Sequence, residues 1–391
     1  MAYFLIATIR KWKLTSNIKN FKMKKIILVL LSFSVSFVFA QNPVSYPKDT
    51  AISKPELNFE VLWHTFEDNY AFFKLRNIDW HAAYQKYRPL INANTSDDSL
   101  YTVFSQMLAP FKDNHINVIV PGIKQFKSVK PSQFVKEFPT DSLRNEFWQM
   151  VNSSLSHKHF TALQYTGPEF NHVPLFAYST SNGIGYLRFN RCFVDQDSDN
   201  VPDAAVAGKL LDTLFASFKD VKSIIVDVRD NIGGNDEFAY EVAGRFTASK
   251  VIGMHKKTRI RKGGYEDFGQ LETWYTEPKG VFQFTKPVVV LTNDKTVSAG
   301  DLFASIMREL PTVKIVGSST RGIYSNMYGF TLPNGWLISL SNERYYDNKM
   351  ICYEGIGAPV DIHVLNTQND LLNLNDPVLD TAIKVLLKTR N

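Results

Sequence analysis

Residues 286–307 read KPVVVLTNDKTVSAGDLFASIM. The Val/Leu run from Val288 to Leu291 has no polar alternation, which marks a strand buried on both faces. Beyond it, Leu302, Phe303, Ile306 and Leu310 recur on one helical face. A buried strand that passes straight into an amphipathic helix is the unit of a layered α/β sheet. Ser298 stands at the junction. With Asp301 three residues later it reads as a capping box. The same place suits a nucleophile, because the dipole and free N–H groups of a helix start stabilise negative charge.

Working outward, the same alternation runs from Gly183 onward. IGYLRF (184–189) predicts a strand, 204–218 an amphipathic helix, SIIVDVRD (223–230) a buried strand, 237–247 a helix and VKIVG (313–317) a strand. Residues 328–347 predict two strands joined by the turn Pro333-Asn334-Gly335. This is a largely parallel sheet, and such sheets bind ligands at the carboxyl ends of their strands.

The first half reads differently. In 57–112, Phe59, Leu62, Trp63, Phe66, Tyr70 and Phe73 repeat at three- and four-residue spacing, with further helices near 80–91 and from the Ser96-Asp97-Asp98-Ser99 cluster. Such an aromatic stripe is core rather than a cofactor site. Residues 57–125 are thus expected to form a small helical domain, 41–56 a linker, 126–180 a connecting segment without room for a PDZ module, and 181–391 the α/β core.

From Met23 the chain reads MKKIILVLLSFSVSFVFAQ: a basic start, an apolar run and a small residue at Ala40, the pattern of a signal peptide spanning 23–40. The expectation is an exported protein, periplasmic or extracellular, without a stable membrane span after cleavage. Residues 1–40 hold seven Lys/Arg and no Asp/Glu, so 37 of the 44 basic residues remain against 38 acidic ones, a net of −1. The basic balance of the whole chain belongs to the leader, and nucleic-acid binding loses its electrostatic support. Two cysteines, Cys192 and Cys352, make neither a disulfide framework nor a metal motif.

Three further stretches carry chemistry. DVRDNIGGND (227–236) runs from a buried strand into Gly233-Gly234, which lacks the spacing of dinucleotide or phosphate loops but can present backbone N–H groups to an oxyanion. KDNHINVIV (112–120) places His115 where helices give way to a strand. YEGIGAPVDI (353–362) sets Glu354 before a glycine-rich turn.

The order GYLRF, VDVRDNIGG, VVVLTNDKTVSAGD, VGSSTRG, YEGIGAPVD resembles the carboxyl-terminal processing (tail-specific) peptidases. Within them it is most similar to the tricorn-core branch, which includes the interphotoreceptor retinoid-binding relatives. The resemblance implies a crotonase-like (ClpP-like) α/β core with an amino-terminal helical domain, and serine endopeptidase activity on polypeptides without metal or organic cofactor. It implies Ser298 as nucleophile, His115 as base and Glu354 as its carboxylate partner. Ala299 and either Gly233 or Gly234 would be the oxyanion donors. The lysine of the Ser–Lys branch falls at Ile323, which argues against a dyad. Asn114 replaces a serine of the tricorn tetrad and is expected to support the imidazole by its amide. A ligand-binding relative without proteolysis, or an esterase or amidase of small acyl substrates, uses the same fold.

Overall fold

The computed structural model describes residues 52–194 and 202–389. The signal-peptide reading and most of the expected linker lie outside them. Helix α1 (Lys54–Asn69) already begins inside that linker: Ser53 and Glu56 form its capping box, and Pro55 stands in its first turn. Helices α2 (Trp80–Tyr87) and α3 (Asp97–Leu108) start at Asp79 and Ser96, whose side chains accept N–H bonds from Ala82 and Ser99.

These helices do not pack alone. Phe59, Phe66, Trp80, Leu100 and Phe104 share one core with Ile116, Val118, Trp336, Ile338 and Leu340. The last five come from an antiparallel sheet and its flanks. That sheet has the order β11-β12-β1-β2, where β1 is Asn117–Val120, β2 Lys124–Lys127, β11 Met327–Thr331 and β12 Leu337–Ser341. The strand pair expected around Pro333-Asn334-Gly335 is β11–β12. Its pairing with β1 brings the His115 segment to the carboxyl-terminal third of the chain.

The central sheet has seven strands. Strands β5 (Ile184–Phe189), β6 (Ser223–Asp227), β9 (Val288–Thr292), β10 (Val313–Gly317) and β14 (Ile362–His363) run parallel, and β3 (Gln164–Phe170) and β4 (Val173–Ser181) extend it antiparallel. Both faces are covered, which is why β6 and β9 read as unbroken apolar runs. One face carries α6 (Asp203–Ala216), α7 (Asp236–Ala243) and α8 (Ala299–Arg308), with Val288 and Val290 pointing that way. The other carries α5 (Asp141–His157) and α10 (Pro377–Lys388), with Val289 and Leu291. The short helices α4 (Gln133–Glu137) and α9 (Gln368–Asn373) immediately precede α5 and α10 in sequence.

Sequence periodicity missed a third sheet, β13-β7-β8, formed by Glu343–Tyr346, Val251–Thr258 and Glu272–Thr276. It missed the β3–β4 pair as well. The charge that ends β6 is a buried ion cluster: Arg229 Nη2 lies 2.6 Å from Asp227 Oδ2 and 2.9 Å from Asp376 Oδ2, and Asp376 caps α10. Cys192 and Cys352 are free thiols.

Candidate active site

Ser298 is the N-cap of α8, at the carboxyl end of β9. Its backbone is left-handed, φ 61°, ψ −125°. A non-glycine residue held there stores roughly 1–3 kcal/mol, a strain that accumulates at functional turns. Asp301, fully buried, holds it: Ser298 N–H donates to Asp301 Oδ2 at 2.8 Å. The same carboxylate accepts Gly322 N–H at 2.7 Å and Ile323 N–H at 3.1 Å. Burial pushes the Asp301 carboxyl up to about 6, while the Thr320 hydroxyl and these backbone donors pull it down.

Gly233 is pressed against this turn. A Cβ added to it would lie 2.6 Å from Ser298 Cβ and 2.7 Å from the Val297 carbonyl, and its φ is +80°. Its N–H donates to Asn231 Oδ1 at 2.8 Å and its carbonyl accepts Cys192 N–H. As the first residue of α8, Ala299 has no intrahelical acceptor for its N–H.

His115 lies on the loop into β1. Its backbone is pinned at both ends: its N–H donates to Asp113 Oδ1 at 2.9 Å, and Ser339 Oγ donates to its carbonyl at 2.7 Å. The ring is buried, faces the Ser325 carbonyl, and leaves Nδ1 without a partner. Burial pushes the imidazole down to about 4. Asp113 opposes this, and Lys127 and Arg76 add to it. His115 is therefore neutral at pH 7 and able to accept a proton.

Glu354 is also buried. Its Oε1 accepts from Arg76 Nη2 at 2.5 Å and its Oε2 from Tyr324 N–H at 2.8 Å. Burial pushes its carboxyl up to about 8, against the pull of Arg76 and the Tyr324 amide.

The segment Thr320–Ser325 links these groups. Gly322 and Ile323 donate to Asp301, Tyr324 donates to Glu354, and the Ser325 carbonyl faces His115. Two glycine turns interlock beneath it, since Gly355 N–H donates to the Gly322 carbonyl at 2.7 Å, and a Cβ on Gly322 would meet Gly357 N at 2.4 Å. That close approach is the reason for Gly322 and Gly357, whereas Gly355 answers to its φ of +78°.

Among the described residues no hydrogen bond joins His115 to Ser298 or to Glu354. The Asn114 amide does not orient the imidazole in this conformation either: its oxygen accepts from Lys130 N–H at 3.2 Å and from Arg321 Nε at 3.5 Å. Ile323, at the lysine position of the dyad branch, is buried. The residues sequence reasoning did not reach are Arg76, Tyr324 and Tyr70, whose hydroxyl donates to Asp113 Oδ2 at 3.0 Å. Tyr70 was legible as core; nothing in its spacing signalled the hydroxyl's partner. Among the described residues no group of three or more His, Cys, Asp or Glu has metal-binding geometry.

Residues 183–364, from β5 to β14, match the profile of Peptidase family S41, and residues 54–109 match that of the Tricorn protease C1 domain. Over residues 183–364 the chain is similar to peptidase family S41. That S41-like region contains Ser298, the Gly233-Gly234 turn and Glu354, and the C1-like helices lie just before His115. Over 104 residues the chain is 33% identical to the carboxy-terminal processing protease CtpA of Bacillus subtilis, covering 27% of this chain and 20% of that protein. Over 170 residues it is 28% identical to a proposed tricorn protease homolog 2 of Streptomyces coelicolor, 42% of this chain and 13% of that one. The chain spans a fifth or less of the length of these curated relatives. The crystal structure of a candidate peptidase from Parabacteroides merdae superposes with a TM-score of 0.69 at 28% identity, covering 86% of this chain and 97% of that one. Mature CPAF shares the fold, with a TM-score of 0.60 at 11% identity over 85% of this chain and 96% of that one.

Proposed function

We propose that this chain is an exported serine endopeptidase of the S41 type that cleaves polypeptides by acyl transfer on a crotonase-like core. The observation that carries the reading is the Ser298 turn: a strained serine at the carboxyl end of a parallel strand, capping a helix whose first N–H is free, with a glycine loop packed on its Cβ.

In this reading Ser298 Oγ attacks the scissile carbonyl and His115 takes its proton, then returns it to the leaving amine. Ala299 N–H is one oxyanion donor. Gly234 is the better candidate for the second, because Asn231 already occupies the Gly233 N–H. Each such donor is worth roughly 100-fold or more in rate. Glu354, once ionised, stabilises the imidazolium form from the Tyr324–Ser325 side. The His115–Ser298 hydrogen bond would form in the substrate complex, where catalytic hydrogen bonds often tighten. The 23–40 segment supports export.

The test is hydrolysis of fluorescein-labelled casein by the wild type beside Ser298→Ala. Cleavage by the wild type alone supports the reading. If neither cleaves, labelling by a fluorophosphonate decides. Labelled Ser298 marks a live nucleophile with a narrow acyl substrate, an esterase or amidase included. An unlabelled Ser298 overturns the enzyme. That outcome agrees with a second reading, a non-proteolytic ligand-binding relative, which the lack of a hydrogen bond from His115 to Ser298 or Glu354 among the described residues favours.

A further inference from the structure

We propose that Arg76 is a positioning residue for the reaction suggested above, a single guanidinium that registers the His115 loop against Glu354. The inference rests on that reading of the site. Arg76 lies on the turn between α1 and α2, far in sequence from both partners, and its side chain is only 7% exposed. Nη1 donates to the carbonyls of Phe111 and Lys112, each at 3.1 Å. Those residues lead directly into Asp113-Asn114-His115, and Lys112 is left-handed, φ 50°. Holding both carbonyls stabilises a turn that a lysine adopts at a cost. From the same planar group, Nη2 donates to Glu354 and lies 3.9 Å from Asp113 Oδ2. Only a rigid fork with several donors spans two loops in this way; an ammonium cannot reproduce it.

Electrostatics adds a second role. His115 faces Asp113, Lys127 and Arg76. Glu354 faces Arg76, Asp113, Asp301 and the Tyr324 amide, with the Cys352 thiol close by. Tyr70 closes the far side of Asp113. The Arg76 charge disfavours the imidazolium form of His115 and pulls the Glu354 carboxyl down against its burial. Without it both groups shift up.

The full-length chain, with Arg76→Met and Arg76→Lys, tests this through two readouts. One is kcat and KM on fluorescein-casein against pH. The other is the titration of the His115 Cε1–H resonance in histidine-labelled protein, assigned with His115→Gln. Arg76→Met should raise the His115 titration by roughly half a unit, as loss of a nearby cation does. It should also lower kcat by about tenfold or more with KM nearly unchanged, the mark of lost positioning. Arg76→Lys should keep the titration and still lose kcat. An unmoved titration in Arg76→Met, or full kcat in Arg76→Lys, overturns the proposal. If Arg76→Met does not fold, the lysine variant decides alone on the same two readouts. If the wild type hydrolyses nothing, the peptidase reading fails by itself, and the titration still decides whether Arg76 sets the His115 charge.

Discussion

Asp301→Asn separates positioning of the nucleophile from stability of the fold. The carboxylate accepts three backbone N–H groups, two on Oδ2 and one on Oδ1. An amide has one acceptor oxygen. Facing it to Ser298 and Ile323 leaves Gly322 N–H opposite an NH2 group, a buried orphan costing about 1–3 kcal/mol. Against this, the wild type carries a buried charge whose carboxyl sits near 6 rather than 3.8. Two units correspond to about 3 kcal/mol that the neutral amide does not spend. The terms nearly cancel, so global stability should change by no more than about 2 kcal/mol. The local effect does not cancel. Ser298 N–H shifts from a carboxylate to a neutral acceptor, the 322–323 loop loses its Gly322 tie, and the turn can relax from φ 61°. A displacement near 1 Å at a reacting atom costs roughly 100-fold in rate. The assay pairs kcat/KM on fluorescein-casein at pH 7.5 with urea unfolding of the same samples. Activity within a few-fold of wild type would refute the positioning role. So would a rate loss that only tracks the unfolded fraction.

Two further perturbations address the base and the oxyanion turn. The acid limb of kcat/KM assigned to His115 should fall well below the ordinary imidazole range near 6.5, because burial favours the neutral ring. Lys127→Met removes a cation that holds it down and should move that limb up by roughly half a unit to one unit; a limb that stays fixed at 6.5 in both proteins counts against the assignment. Gly233→Ala combines a left-handed φ, about 1–2 kcal/mol, with a clash against Ser298 and Val297, about 1–3 kcal/mol, and should remove fluorophosphonate labelling. Gly335→Ala, at φ +87° with nothing within 4 Å of the added Cβ, is the control that carries the strain alone and should keep labelling.

Local pattern made much of this protein legible. The runs at 223–227 and 288–292 could only be strands covered on both faces, and Ser298 with Asp301 announced a helix start because capping is a contact between residues three apart. The α1 stripe was read as core, and its side chains are buried. Glycine pairs marked close backbone approaches before the approached atoms were known. Contacts between distant segments were not legible. Nothing in KLRN (74–77) says that Arg76 meets a glutamate 278 residues later, or that Asn114 turns to Lys130 and Arg321 instead of the imidazole. The β1–β12 pairing that carries His115 toward the Thr320–Ser325 segment is likewise a tertiary fact. Sequence alone therefore determined the elements, the α/β alternation and the residue types able to do the chemistry, because periodicity and caps act over a few residues. Only the tertiary structure decided which of those residues meet and in which protonation state, because burial and charge–charge distances are set by packing between segments that the chain order keeps apart.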